Sequence, residues 1–214
     1  AGETQLEADQ RMLGDRIKQI NTRLAKVRRQ RALTRRSRRR SDTHTISLAG
    51  YTNAGKSTLF NRLCKAAVHA EDQLVATLDP TLRSLRLPVI GKAVLADTVG
   101  FIRALPHGLV DAFRATLEEV SQSDLILHVV DGSAPLREER IAEVNLVLEE
   151  IGASTIPQLM VYNKVDLIGE APRIDIGHDG KPTRVWVSGI TGQGEELLLD
   201  AIAERLAGNV IETV

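Results

Sequence analysis

From Leu6 the apolar residues Leu6, Leu13, Ile17, Ile20, Leu24 and Val27 recur at spacings of 7, 4, 3, 4 and 3, a heptad-like seam broken only by Gln10. No proline occurs before Pro80, and Gly14 is the one interior glycine of this stretch. The pattern predicts a helix of roughly 30 residues or more, either half of a coiled coil or one arm of an antiparallel hairpin. Past residue 42 the rhythm changes to short apolar runs alternating with amphipathic segments. Strands are predicted at Thr43–Ala49, Leu82–Leu87, Lys92–Ala96, Leu125–Val130, Gln158–Tyr162 and Arg184–Val187. Helices are predicted up to about Lys65, through Leu109, Phe113, Leu117 and Val120, over Arg137–Ile151 and over Glu195–Leu206. Residues 69–81 and the stretch Gly169–Pro182 read as polar connections. Apolar strands alternating with helices predict an α/β fold, a mostly parallel sheet covered on both faces.

Charge divides the chain in the same place. Formal net charge is zero over 214 residues, yet residues 1–40 carry a net +9 and the remainder a net −9. Residues 23–40 hold Arg23, Lys26, Arg28, Arg29, Arg31, Arg35, Arg36, Arg38, Arg39 and Arg40 with no acid among them. Uncompensated cations repel one another, and a predominance of arginine suits phosphate, so a polyanion, RNA first, is the expected partner of this run. Few aromatics accompany it, which makes backbone electrostatics rather than base stacking the mode of contact. The expected division is a basic helical module over 1–41, an α/β domain over 42–208 and a tail over 209–214. The chain opens on Ala1 without methionine, which reads as a piece of something longer. The single cysteine, Cys64, excludes an intrachain disulfide framework and fits a reducing, cytoplasmic setting. The five histidines show no metal-ligand spacing with Cys64, and no apolar run approaches the 18 residues of a membrane span.

The chemistry centres on Gly50-Tyr51-Thr52-Asn53-Ala54-Gly55-Lys56-Ser57, which satisfies G-x-x-x-x-G-K-[ST] between a predicted strand and a predicted helix. Glycines let the backbone turn N–H groups inward around an anion, and the helix that follows adds its positive end. Asn53, Ala54, Gly55, Lys56, Ser57 and Thr58 are the expected phosphate contacts. Lys56 reaches the β- and γ-phosphates, and the Ser57 hydroxyl ligates Mg²⁺. Asp97-Thr98-Val99-Gly100 lies 41 residues beyond Lys56 at the end of a buried strand. Its carboxylate can hold Mg²⁺ through water while the Gly100 N–H senses the γ-phosphate. Asn163-Lys164-Val165-Asp166 also follows a strand, and a fixed carboxylate at Asp166 can accept from both guanine N1–H and the 2-amino group. Adenine offers neither donor there, so the nucleotide is expected to be GTP or GDP. Ser188-Gly189-Ile190, 25 residues after Asn163, occupies the place of the Ser-Ala-Lys whose backbone caps guanine O6; the departure at Gly189 and Ile190 predicts modest base affinity.

Three positions bear on catalysis. Thr77 and Thr81 both lie in a loop from which a threonine could meet Mg²⁺ and the γ-phosphate; Thr77, earlier in the mobile stretch, is the choice for catalysis and for the metal. Phe101 stands where many related enzymes have a water-orienting glutamine, and an apolar ring cannot align water, so slow intrinsic hydrolysis is expected. Asn53 has two readings, a turn stabiliser or a ligand of K⁺ beside the phosphates.

Taken together, Gly2-Glu3-Thr4-Gln5-Leu6-Glu7 before a basic helix, the phosphate loop continued as Thr58-Leu59-Phe60-Asn61, Ala76-Thr77-Leu78-Asp79-Pro80-Thr81, and Asp97-Thr98-Val99-Gly100-Phe101-Ile102 resemble the HflX family of ribosome-associated GTPases within the TRAFAC class of P-loop GTPases. The resemblance covers essentially the whole chain. It implies a G domain, a switch threonine at Thr77, an apolar residue at the Phe101 position, binding to the large ribosomal subunit with stimulated GTP hydrolysis, and splitting of stalled ribosomes under stress. Two other function classes stay open on the residues: a nucleotide-gated RNA clamp whose hydrolysis is incidental, and a K⁺-dependent GTPase serving RNA modification or ribosome assembly.

Overall fold

The structure, a computed structural model, describes residues 11–23, 25–26, 43–68, 82–98, 100 and 119–209. The chain divides into two compact units, Ala1–Asp42 and Thr43–Val214. In the first, residues 11–23 and 25–26 are helical (α1), and the seam positions Leu13, Ile17 and Ile20 are exposed. Of the basic run, Arg23 and Lys26 fall on this helix and the rest lies outside the described residues, as do Thr77, Thr81, Phe101 and the predicted helix up to residue 118.

The second unit is built on β1 (Thr45–Ala49), β2 (Leu82–Leu87), β3 (Gly91–Ala96), β4 (Leu125–Asp131), β5 (Gln158–Asn163), β6 (Arg173–Ile176) and β7 (Pro182–Val187). Its helices are α2 (Lys56–Val68), α3 (Arg137–Glu150), the one-turn α4 (Val165–Ile168) and α5 (Glu195–Asn209). The strands form one sheet in the order β2-β3-β1-β4-β5-β7-β6. Neighbours from β3 to β7 pair in parallel, while β2 and β6 close the two edges antiparallel. The apolar alternation of β4 explains why both faces are covered. Leu125, Leu127 and Val129 join the large core packed under α2 and α5, with Leu59, Leu63, Leu198 and Ile202. Ile126 faces the other way, onto Val144 and Leu148 of α3. Side chains two apart share a face, so a strand apolar at both odd and even positions contributes to two cores.

The mostly parallel, helix-flanked sheet agrees with the sequence-based expectation. One connection does not: the excursion Gly169–Pro182 contains β6, and β7 begins at Pro182 rather than Arg184. Four residues, Arg-Ile-Asp-Ile, carry too little apolar signal to read as a strand. They are held instead by non-local contacts: Trp186 Nε1 donates to Asp175 Oδ2 at 3.0 Å, the Arg173 guanidinium lies 4.0 Å from the Trp186 ring centre, and Trp186 stacks on Tyr162 at 4.4 Å. Such contacts order an edge strand that local propensity would leave open.

Candidate functional site

The C-terminal ends of the parallel strands deliver the motifs to one rim of the sheet, the place where α/β folds bind ligands. β1 ends at Ala49 and the chain turns through Gly50 to Gly55 before α2 starts at Lys56. Gly50 takes φ +150°, and a Cβ there would stand 2.2 Å from the Val129 carbonyl oxygen; Gly55 takes φ +92°, and its Cβ would meet Asn163 Nδ2 at 2.3 Å. Both positions therefore require glycine for conformation and for space. Asn53 takes φ +60°, a left-handed turn that asparagine tolerates. The first turn of α2 contains no acid, whereas α3 and α5 open on Glu138, Glu139 and Glu195, Glu196. No carboxylate from within that turn competes with an incoming anion for the positive end of α2.

Lys56 is only 6% exposed, and its Nζ donates to the carbonyls of Gly50 and Tyr51, both at 2.9 Å, folding the side chain over the loop. Burial pulls its pKa down to about 8 against the opposing pull of Asp97. Asp97, past the end of β3, accepts from Ser57 Oγ at 2.9 Å through Oδ2, while its Oδ1 is buried with no hydrogen-bond partner. Burial raises the Asp97 carboxyl, moderated by the Ser57 hydrogen bond and the Lys56 charge. Next to it, Thr98 Oγ1 donates to Leu48 O at 2.5 Å and pins the segment to β1. A Cβ on Gly100 would lie 2.9 Å from Thr52 Cγ2 and 3.2 Å from Lys56 Nζ, so this glycine lets its backbone lie against the loop.

A hydroxyl and a carboxylate in contact, with one buried oxygen left over, is a hard-oxygen donor set. It fits Mg²⁺, which takes few protein ligands and completes its shell with water and phosphate. No cluster of three or more His, Cys, Asp or Glu suited to another metal occurs among the described residues.

At the end of β5, Asn163 is the junction of the site. It is 3% exposed; its Nδ2 donates to Ala54 O at 2.9 Å, and its Oδ1 accepts from the N–H groups of Lys164 at 2.9 Å and Gly189 at 2.8 Å. One side chain thus joins the phosphate loop, the N-K-x-D turn and the loop after β7. Lys164 takes φ +72° and its Nζ donates to Asp131 Oδ2 at 2.6 Å. Burial would raise Asp131, but Lys164 and Ser133 donate to it and hold its carboxyl below the usual range. Asp166 sits in the first turn of α4 with a buried Oδ1 that has no partner. Ser188 is buried, and its Oγ accepts from the Thr191 N–H at 3.1 Å; Ile190 is exposed.

Most of the predicted residues therefore meet: Ala54, Gly55, Lys56, Ser57, Asp97 and Gly100 around the loop, and Asn163, Lys164, Asp166, Ser188 and Gly189 beside it. Thr58 is exposed on α2, directly after Ser57. Asp131, which accepts from Lys164 Nζ, and Arg62, whose Nε donates to Gly189 O at 2.7 Å, contact these residues and escaped the motifs. Asp131 ends a buried, mostly apolar strand, much as Asp97 follows one, and that position was its signal. Arg62 had none.

Comparison with known proteins follows the same division of the chain. The family model described as 50S ribosome-binding GTPase matches residues 45–164, and that described as GTP-binding GTPase Middle Region matches residues 1–38. The chain is similar to GTPase HflX of Escherichia coli (strain K12), with 55% identity over 212 residues, 99% of this chain and 50% of that protein. It is 45% identical over 205 residues to GTPase HflX of Caldanaerobacter subterraneus subsp. tengcongensis, covering 96% of this chain and 46% of that one. Among solved structures, a GTP-binding protein from the archaeon Sulfolobus solfataricus in complex with GDP aligns with TM-score 0.60 and 29% identity, over 90% of this chain and 62% of that chain. The chain spans about half the length of the curated relatives it matches.

Proposed function

Because the chain belongs to the HflX family of P-loop GTPases, we propose that it binds GTP and GDP, hydrolyses GTP slowly by itself, and is stimulated by the large ribosomal subunit in ribosome splitting or rescue. The observation that carries the nucleotide part is Asn163. Its three hydrogen bonds set the phosphate loop at a fixed distance from Asp166, so phosphates and guanine are read by one rigid frame. The buried, unpartnered Asp166 Oδ1 is an acceptor in want of a donor, which guanine supplies and adenine does not.

In this reading Lys56 leaves the loop carbonyls for the β- and γ-phosphates, and the first N–H groups of α2 close around them. Ser57, Asp97 and Thr77 would hold Mg²⁺, and the ion would supply positive charge toward the phosphates. Gly100 offers its N–H to the γ-phosphate. With Phe101 in place of a polar side chain, nothing at that position aligns water, so the partner supplies the missing catalytic element. Ribosomal RNA is the surface for residues 23–40. Asn53 favours a second reading in one respect: its exposed amide in a left-handed turn beside the phosphates could present oxygen to K⁺.

GTP turnover by the chain, alone and with purified large subunits, in K⁺ and in Na⁺ buffers, tests these statements together. The expected result is slow turnover alone and a rise of at least tenfold with subunits. Equal rates with and without subunits would return the chain to a nucleotide-gated RNA clamp, and equal rates in the two salts would remove K⁺.

A further inference from the structure

We infer that Arg62 is the positioning residue of the guanine loop, standing in for the side chain that the loop lacks. The inference rests on the nucleotide reading above. Arg62 lies on α2, six residues past Lys56, and belongs to none of the motifs. Its Nε donates to Gly189 O at 2.7 Å, its Nη2 donates to Ile190 O at 2.5 Å, and its Nη1 stands 3.7 Å from Glu195 Oε2 at the start of α5. The loop is shaped to admit it: Gly192 takes φ +87°, and a Cβ there would stand 2.5 Å from Nη1 and 3.2 Å from Cζ. A planar fork on two successive carbonyls fixes both orientation and distance, which a lysine ammonium cannot do.

Holding Gly189 O fixes more than an oxygen. In a trans peptide the C=O of Gly189 and the N–H of Ile190 lie in one plane and point in opposite directions. The grip on one edge therefore aims the donor on the other edge away from Arg62. The N–H groups on either side of Ile190 are engaged: Ser188 with Gln193 O, Gly189 with Asn163 Oδ1, Thr191 with Ser188 Oγ and Gly192 with Ser188 O. The Ile190 N–H has no partner among the described residues, and it is assigned here to guanine O6. The neighbouring Gly189 N–H is taken by Asn163 Oδ1. The bonds also close a ring, from Ala54 through Asn163 and Gly189 to Arg62 and back along α2 to the phosphate loop. A departure from Ser-Ala-Lys therefore does not loosen this loop, because its order comes from beneath.

The test compares GDP with 6-thioguanosine diphosphate, whose sulfur is a poor acceptor at that atom, on the chain and on Arg62→Ala and Arg62→Lys. The chain should bind GDP about fivefold more tightly than the thio analogue, the worth of one neutral hydrogen bond. Arg62→Ala should weaken GDP about tenfold and bring the GDP-to-thio ratio below about two, since the donor is no longer aimed. Arg62→Lys should also compress the ratio, and it is the variant read if Arg62→Ala lowers the melting temperature. Equal loss of both nucleotides, with the ratio unchanged, would make Arg62 merely structural and overturn the inference. A chain that binds ADP as tightly as GDP would instead overturn the nucleotide reading, and this inference with it.

Discussion

Asn163→Ala removes the junction of the site, and its cost can be worked from the hydrogen bonds it makes. The substitution leaves the Ala54 carbonyl and the Gly189 N–H unpaired in buried surroundings and the Lys164 N–H unpaired in a half-buried one. An orphaned buried polar group costs about 1–3 kcal/mol, and the half-buried one less, for a total of about 4 kcal/mol. In a domain of this size each kcal/mol moves Tm by about 2–4 °C, so a fall of about 8–16 °C is expected. Nucleotide should suffer as well, because the frame joining phosphate to base is gone: release of fluorescently labelled GDP, followed by stopped flow, should quicken by at least tenfold. Asn163→Asp separates donor from acceptors. It keeps the oxygen that accepts from Lys164 and Gly189, but sets a second oxygen 2.9 Å from the Ala54 carbonyl. That repulsion falls on the phosphate loop alone, so GDP release should quicken as much as in the alanine variant while Tm falls less. A Tm within about 2 °C of the parent, with unchanged GDP release, in Asn163→Ala would refute the reasoning.

Three further outcomes are expected. Gly50→Ala, whose new Cβ would press to 2.2 Å on Val129 O in a left-handed backbone, should cost about 3 kcal/mol or more and abolish GDP binding; a normal titration would show that the loop can move aside. Asp166→Asn should shift preference from guanine toward xanthine nucleotides, and unchanged selectivity for GTP over XTP would defeat the assignment of Asp166 to base reading. The buried His128 ring is held down to about 4 by burial, with the Lys56 charge adding to it and the Gln158 hydrogen bond opposing. With the folded pKa lowered from 6.5, the unfolded chain binds more protons between these values, so this contribution is full above pH 6.5 and is lost as pH falls through about 4. The loss amounts to about 3 kcal/mol in urea melts and should vanish in His128→Asn; identical pH profiles would contradict it.

What could be read in the sequence follows from how each feature is encoded. The phosphate loop, Asp97 and the Asn163–Asp166 turn were legible because their function lies in backbone path and in polar residues placed directly after buried strands, and such strands announce themselves as apolar runs. β6 was not legible, because its order comes from Trp186 and Tyr162 across the sheet rather than from its own four residues. Arg62 was invisible for a related reason: an arginine on an amphipathic helix looks like any solvated charge until the loop after β7 folds over it.

The stack at the sheet edge offers a spectroscopic handle. Trp186 is the chain's one tryptophan, set face to face with Tyr162 and under Arg173, with Tyr162 adjoining Asn163 and Trp186 two residues before Ser188. Its indole is therefore wired by sequence to both loops that would grip guanine. Excited at the red edge of indole absorption, the native protein should report nucleotide entry and exit through its own emission, with no label attached and no second tryptophan to blur the signal.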